Sequence, residues 1–230
     1  MGRPGLLVEG AEGIHPEQKD YVRPAQDVVS WQVGDAKKIG LEEVARNAKL
    51  TVLIGVAGKA GMFTEDAVRA MAKNVERPII FPLSNPTSKS EATPRDLLQW
   101  TDGKALIGTG SPFEPVKVGD REICIDQTNN SYIFPGLALG IVAAKSRRVT
   151  DAMFMTAARA LAGLSPVEKD HNASLLPPLA ESRKLSLVIA AAVARQAVAE
   201  GLSDLKESDV EAAVAANVWD PVYLRYDREY

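Results

Sequence analysis

The sequence predicts an α/β fold, a doubly wound parallel sheet followed by a C-terminal helical segment. Short apolar runs rich in β-branched residues alternate with helical segments between residues 51 and 110, in the order strand, helix, strand, helix, strand. Each run is continuous rather than alternating, which is typical of strands buried on both faces. Beyond Tyr132 the apolar residues recur at helical spacing instead.

The strands are bounded by glycine and proline. The stretch GLLVEG at 5–10 predicts the end of a strand that enters a turn. The three buried strands are predicted from TVLIGVAG at 51–58, PIIFPLS at 78–84 and KALIGTG at 104–110. A hairpin around Gly119-Asp120 is predicted from PVKVGDREICID.

The helices are marked by capping residues. A short helix is predicted at 42–48, and Thr64 predicts the N-cap of a helix that places Val68 and Met71 on one face. Thr93 followed by Pro94 opens the next helix. Three helices are predicted in the C-terminal part, at 149–164, 185–200 and 208–218. The change of pattern near residue 130 predicts two domains, 1–130 and 131–230.

Composition excludes several classes of protein. The 230 residues carry 27 basic and 30 acidic side chains without a basic stripe, so nucleic acid is not an expected partner. The longest apolar stretch, at 132–144, is too short to span a bilayer, and no secretory signal is recognisable. The single cysteine, Cys124, cannot form an intramolecular disulfide. We therefore expect a soluble, cytoplasmic protein without a membrane partner.

Ligands of open α/β sheets bind at the carboxyl ends of the strands, and three such ends are visible here, two of them with glycine. They read GVAGKAG, SNPTS and GTGSPF. None fits the G-x-G-x-x-G dinucleotide fingerprint. From glycine spacing alone, tight turns explain these loops about as well as a cofactor does.

A few polar side chains are candidates for ligand contacts. Asn85 offers a donor and an acceptor at a strand end, with a turn asparagine as the equal alternative, and for the pair Asn129-Asn130 the turn is favoured. His15 and His171 are interpreted as solvated, and Cys124 as an inert thiol packed in a hairpin strand. No spacing indicates a metal site. The aromatic and basic tail is expected to dock on another part of the protein or on a neighbouring subunit; it contains Tyr223, Arg225, Tyr226, Arg228 and Tyr230.

Eight segments, taken together, resemble malic enzymes, and most closely the bacterial NAD-linked type with large subunits. They follow the order and spacing of that family along essentially the whole chain. The segments are GLLVEG, LIGVAGKAGMFTEDAVRAM, RPIIFPLSNPTSKSEATPRD, ALIGTGSPFEPV, QTNNSYIFPGLALG, TDAMFMTAARALA, LLPPL and NVWDPVY. The block SNPTSKSEAT and the double asparagine before YIFPG are the most specific.

The resemblance implies a role for each matching position. It implies that residues 1–130 form a partial Rossmann-like NAD(P)-binding domain without its first βαβ unit, and that the helical segment 131–230 packs on it. Malate contacts are implied for Asn85, Asn129 and Asn130. NAD contacts are implied for Gly55, Val56, Ala57, Gly58, Ser84, Asn85, Gly110, Ser111 and Asn130.

The implied reaction is the oxidative decarboxylation of L-malate to pyruvate and CO2 by a homo-oligomeric enzyme. The family's catalytic Tyr and Lys, and its three acidic ligands for Mg2+ or Mn2+, precede the matched region, so no catalytic or metal-binding residue is expected among these 230. Two positions depart from the family. Gly2 stands near the place of the usual ribose-binding acid, which leaves the preference between NAD and NADP open. Thr128 stands where the family often has Gly or Cys. The chain alone is expected to be inactive and to bind NAD weakly or not at all. The alternatives are a non-catalytic module that docks on a malic enzyme subunit and a nucleotide-binding domain without chemistry.

Overall fold

The computed structural model describes residues 1–2, 5–170, 173–220 and 222–223 and separates into two compact units. The first unit is Met1–Thr128 and the second is Asn129–Tyr230. The first contains the sheet and the second is helical, which confirms the predicted fold class. The predicted domains, 1–130 and 131–230, stay predictions as functional divisions of the chain.

The first unit is built on a four-stranded parallel sheet. Its strands lie in the order β1-β2-β3-β6, and β4 and β5 form a separate antiparallel hairpin that confirms the predicted turn at Gly119-Asp120. The strands are β1 Val52–Gly55, β2 Ile79–Pro82, β3 Leu106–Thr109, β4 Val116–Val118, β5 Arg121–Ile123 and β6 Asp126–Gln127. The helices are α1 Leu41–Asn47, α2 Glu65–Ala72 and α3 Pro94–Trp100, with 3-10 turns at Pro16–Tyr21, Ala25–Val28 and Thr87–Lys89.

One face of this sheet holds the core of the first unit. Apolar side chains from the strands pack there with α2 and α3; they include Leu53, Ile80, Ile107, Val68, Met71, Leu97 and Leu98. The predicted caps are present, because the hydroxyl of Thr64 accepts a hydrogen bond from the Ala67 N–H and that of Thr93 accepts one from the Asp96 N–H. The caps start both helices where their apolar faces reach the sheet.

The prediction that the first strand is buried on both faces is wrong. Val52 and Ile54 on β1 are 45% and 57% exposed, whereas Leu53 faces the core. The reason is that α2 and α3 pack on the face that carries Leu53, while within the described residues the opposite face of β1 is left to solvent. The continuous apolar run therefore indicates a face that is available for contact rather than one already covered.

The predicted strand at 5–10 does not form. Val8 makes only an isolated bridge with Arg23, and residues 9–10 turn as predicted. A strand needs a neighbour along its length, and here the pairing lasts one residue. Conversely, β6 was not predicted as a strand of this sheet. Its first residue, Asp126, was assigned to the end of the hairpin segment, but β6 pairs in parallel with β3.

The second unit is a set of packed helices. They are α4 Phe134–Ala143, α5 Asp151–Ala162, α6 Ser182–Ala199 and α7 Val210–Ala216, with 3-10 turns at Asn130–Tyr132, Pro166–Glu168, Leu179–Glu181 and Glu207–Asp209. The three predicted helices beyond residue 149 are confirmed with shifted ends. The backbones of α4 and α6 lie close together, because a Cβ on Gly140 would stand 2.5 Å from the carbonyl oxygen of Ala190. None of the described helices is long and apolar enough to cross a membrane.

The aromatic tail is described only in part. Tyr223 is fully exposed, so it does not dock on the described chain. The other members of that prediction, Arg225, Tyr226, Arg228 and Tyr230, lie outside the described residues, as does His171.

A single carboxylate organises the segment before α1. Glu43 accepts hydrogen bonds from the Gly34 N–H at 2.6 Å and from the Gly40 N–H at 2.7 Å. These bonds, first that of Gly34 and then that of Gly40, hold the pKa of Glu43 below its ordinary value of 4.5. Since the folded state favours the charged form, Glu43 stabilises the fold above that value and loses its contribution as the pH falls through the lowered pKa.

We therefore expect Glu43→Gln to lower the melting temperature at neutral pH and to flatten its decline below about pH 4.5. Thermal unfolding followed by circular dichroism between about pH 3 and 7 measures both effects. Glu76→Gln, which removes an exposed carboxylate, serves as the charge-matched control. If the melting temperature of Glu43→Gln falls below about pH 4.5 as steeply as that of the wild type, the prediction is contradicted.

Candidate functional site

The carboxyl ends of β1, β2 and β3 meet at one edge of the sheet, because the three strands are parallel neighbours. The three glycine- or asparagine-containing loops of the sequence analysis begin there. Two sets of hydrogen bonds connect them, one between the first and second loops and one between the second and third.

The first connection centres on Glu91, whose side chain is fully buried. Its Oε1 accepts hydrogen bonds from the Ala57 N–H at 2.7 Å and from the Ser84 hydroxyl at 2.5 Å, and its Oε2 accepts one from the Ser84 N–H at 3.3 Å. The Ser84 hydroxyl oxygen in turn accepts a bond from the Gly58 N–H at 2.8 Å. The loop after β1 is thereby tied to the end of β2.

Gly55 is required by this arrangement. A Cβ at this position would stand 2.6 Å from Cδ of Glu91 and 2.7 Å from Cζ of Phe63. Distances this short force a neighbour to move. The carboxylate therefore occupies the space that a side chain on residue 55 would need.

The second connection joins the ends of β2 and β3. The Ser111 hydroxyl donates to Oδ1 of Asn85 at 2.5 Å, and the Gly110 N–H donates to the carbonyl oxygen of Pro82 at 3.2 Å. A Cβ on Gly110 would stand 2.1 Å from the carbonyl oxygen of Leu83. The peptide bond between Asn85 and Pro86 is cis.

The residues of this edge divide by exposure. Gly55, Ser84, Gly110 and Ser111 are buried, whereas the loop from Val56 to Gly61 and Asn85 are exposed. In that loop Gly58 and Gly61 have φ of 63° and 72°, and nothing lies within 4 Å of the Cβ positions of either. Exposed backbone beside an exposed amide offers hydrogen-bond donors and acceptors, which are the groups that the hydroxyl and amide portions of a dinucleotide require.

Asn129 and Asn130 belong to the second unit. Both are exposed, and Oδ1 of Asn129 accepts a hydrogen bond from the Ser131 N–H at 3.0 Å. The structure thus shows the turn contact that the sequence analysis favoured for Asn129. The malate contacts predicted for Asn129 and Asn130 stay predictions.

Two other expectations can be compared with the structure. His15 is exposed, as expected. Cys124 was expected to be packed in a strand, and this is wrong: the thiol is exposed, because β5 ends at Ile123 and Cys124 lies in the connection to β6. The described residues contain no group of three His, Cys, Asp or Glu side chains that could hold a metal ion.

Glu91 was missed as a functional candidate by reasoning from the sequence. It stands in SNPTSKSEAT, two residues before the helix cap Thr93, where a carboxylate is ordinarily solvated. The one available signal was a lone acid among small residues that directly follow a strand and its turn. Its complete burial depends on the loop after β1, which lies more than thirty residues earlier in the chain.

The fold and this edge define a Rossmann-like α/β domain. Residues 1–198 match the family described as "Malic enzyme, NAD binding domain". The chain belongs to that family, which confirms the resemblance read from the eight segments.

Curated relatives agree with this assignment. The chain is 46% identical to an NAD-dependent malic enzyme of Proteus mirabilis and 47% identical to one of Pseudomonas savastanoi, over 99% of its own length. It spans 40% and 41% of the length of those relatives. Among solved structures, it resembles an Entamoeba histolytica malic enzyme with a TM-score of 0.63 and 25% identity, over 80% of this chain and 35% of that one. It also resembles a malic enzyme from Pyrococcus horikoshii, with a TM-score of 0.59 and 25% identity, over 79% of this chain and 38% of that one.

The close approach at Gly110 leads to a stability prediction. Gly110→Ala places its Cβ against the backbone of Leu83, so the ends of β2 and β3 must separate. We expect the free energy of unfolding to fall by about 1–3 kcal/mol, the usual cost of overpacking. Urea unfolding measures it. In the control Gly163→Ala the nearest atom is 3.6 Å away, which is ordinary contact. Equal stability of the two variants contradicts the prediction.

Proposed function

We propose that this chain is the cofactor-side portion of an NAD-dependent malic enzyme. In that enzyme it contributes contacts to NAD and to malate during the oxidative decarboxylation of L-malate to pyruvate and CO2. The family match over residues 1–198 and the names of the curated relatives support this proposal. The sequence predicts at most weak NAD binding by the isolated chain. Because the ends of the strands are held together by hydrogen bonds, the 230 residues by themselves are proposed instead to bind the cofactor without turning over malate.

The observation that carries the proposal is the hydrogen-bonded edge at the ends of β1, β2 and β3. Ligands of open parallel sheets bind outside the carboxyl ends of their strands. Here three such ends are fixed to one another through Glu91 and through the pair Asn85 and Ser111. A prearranged edge loses little conformational freedom when a ligand binds, which favours affinity.

The predicted cofactor residues fall into two roles within this proposal. Val56, Ala57, Gly58 and Asn85 are exposed and contact the dinucleotide. The buried members, Gly55, Ser84, Gly110 and Ser111, hold the exposed ones in place through the contacts described above. Asn130 is proposed to contact both NAD and malate, and Asn129 to contact malate.

The chemistry assigned to these residues is binding and orientation. NAD, when bound, supplies the acceptor for the hydride that leaves C2 of malate. The Asn85 amide has its Oδ1 engaged by Ser111, so its NH2 group is the part that donates to a ligand oxygen such as a carboxylate or hydroxyl. Holding malate in one orientation beside the cofactor lowers the entropic part of the barrier.

The divalent cation that the resemblance implies has no assigned ligand here. The described residues hold no group of three His, Cys, Asp or Glu side chains that could ligate it. The proton-transfer groups are likewise assigned to other parts of a complete enzyme. The preference between NAD and NADP is proposed as NAD, following the names of the curated relatives.

A second candidate function is docking onto another polypeptide, as a non-catalytic module. It is favoured by the apolar second face of β1, where Val52 and Ile54 are exposed on an edge strand. Edge strands with exposed apolar residues tend to pair with other chains. Association with an intact malic enzyme subunit, or with a second copy in a homo-oligomer, would cover that face.

The test is a paired measurement on the purified chain. Absorbance at 340 nm is followed with L-malate, Mn2+ and NAD+, while thermal unfolding is recorded with and without NAD+. We expect no malate-dependent rise in absorbance. NAD+ at about 100 times its dissociation constant should stabilise the fold by about 2.7 kcal/mol, which corresponds to roughly 5–10 °C in melting temperature for a chain of this size.

Asn85→Ala should reduce the NAD+-dependent shift, whereas Asn217→Ala, an exposed asparagine in the second unit, should leave it unchanged. Malate-dependent turnover by the pure chain contradicts the cofactor-side assignment. A folded sample that NAD+ does not stabilise contradicts cofactor binding. Light scattering of the same sample distinguishes the docking candidate, which requires a mass above that of the single chain or co-purification with a larger subunit.

A further inference from the structure

The fully buried carboxylate of Glu91 is the most unusual polar group in the first unit. Removing a carboxylate from water is costly unless it is fully hydrogen-bonded. Glu91 meets this requirement with three neutral donors, the Ala57 N–H, the Ser84 N–H and the Ser84 hydroxyl. These donors come from two different loops of the proposed cofactor site, so the burial of this charge depends on how the loops are arranged.

Two consecutive amides of the loop after β1 are fixed by this group. The Ala57 N–H bonds to the carboxylate directly, and the Gly58 N–H bonds to the hydroxyl of Ser84, which itself donates to the carboxylate. Fixing the amide of a planar peptide fixes its carbonyl as well. In a trans peptide the carbonyl points opposite to the N–H, so the carbonyl oxygens of Val56 and Ala57 point away from Glu91 and Ser84.

These carbonyls determine the chemistry that the loop offers. Val56 and Ala57 are exposed, so their carbonyl oxygens are acceptors on the outer side of the loop. Acceptors recognise hydroxyl and amide donors, such as a ribose hydroxyl or a carboxamide NH2, and they repel phosphate oxygens. The Ala57 and Gly58 amides are bonded to Glu91 and Ser84, so these two N–H groups are not available to a phosphate in the way that the amides of phosphate-binding loops are.

We propose that Glu91 is a positioning residue that orients the loop after β1 so that the Val56 and Ala57 carbonyls accept hydrogen bonds from the ribose or carboxamide portion of the dinucleotide. The inference rests on the proposed NAD-binding function. Glu91 itself is buried and does not touch the ligand. Gly55 is required for this position of Glu91, since a side chain on residue 55 would displace the carboxylate.

The test compares NAD+ affinity, measured by calorimetry, in Glu91→Gln and in the control Glu76→Gln. The glutamine keeps the length of the side chain but replaces one acceptor with a donor, which faces the N–H groups of the loops. We expect Glu91→Gln to weaken NAD+ binding about tenfold or more, since each 1.4 kcal/mol is about a factor of ten. Glu76 is exposed and precedes the amino end of β2, so its substitution should leave the affinity unchanged.

A second readout separates positioning from a general loss of stability. In the wild-type chain, NAD+ should move the carbonyl carbon resonances of Val56 and Ala57, and the Ala57 amide should exchange slowly with solvent although its residue is exposed. Both features should be lost in Glu91→Gln at a temperature where the variant remains folded. Rapid exchange of the Ala57 amide in the wild type overturns the inference.

A matched serine pair covers the case in which Glu91→Gln does not fold. Ser84 and Ser90 are both buried, and both donate through their hydroxyls, Ser84 to Glu91 and Ser90 to the Ala92 carbonyl. Ser84→Ala should weaken NAD+ binding, and Ser90→Ala should affect stability only. If Ser84→Ala and Ser90→Ala bind NAD+ equally well, or if Glu91→Gln binds it as well as wild type, the inference is overturned but the proposed function stands. Failure of the folded wild type to bind NAD+ overturns the proposed function and the inference with it.

Discussion

The arrangement of the carboxyl edge depends on one constraint, the burial of the Glu91 carboxylate between two loops. A buried charge without full hydrogen bonding costs several kcal/mol, so a structure that buries one must supply the donors. In this chain the donors are the Ala57 amide and two groups of Ser84. The position of the loop after β1, the end of β2 and the choice of glycine at 55 all follow from that requirement.

The same edge shows how close packing and function are combined. At Gly110, directly after β3, the backbone approaches that of Leu83 so closely that no side chain fits, and Ser111 then reaches Asn85. The contact engages the oxygen of the Asn85 amide and leaves its NH2 group as the donor. Sequence reasoning could interpret this residue equally as a turn asparagine or as a ligand contact. In the structure its amide oxygen instead joins the ends of β2 and β3, and its NH2 group is the part proposed to contact a ligand.

The sequence alone predicted the elements better than their surroundings. The caps Thr64 and Thr93, the hairpin at Gly119-Asp120 and the helices of the second unit follow from local chemistry, and the structure confirms them. The wrong predictions concern what surrounds a segment: the stretch at 5–10 pairs through a single bridge, Ile54 faces solvent, and Cys124 is exposed. Glu91 was overlooked for the same reason, because its burial is decided by Ala57, a contact distant in sequence that no local pattern encodes.

The central claim is that NAD+ binds at the edge formed by the ends of β1, β2 and β3. Hydrogen–deuterium exchange with mass spectrometry, on the free chain and on the chain with saturating NAD+, tests it most directly. The account predicts added protection in peptides that cover residues 55–61, 83–91 and 108–113, with little change around α5 and α7. Protection confined to the helices of the second unit, or none in a folded sample, would contradict it.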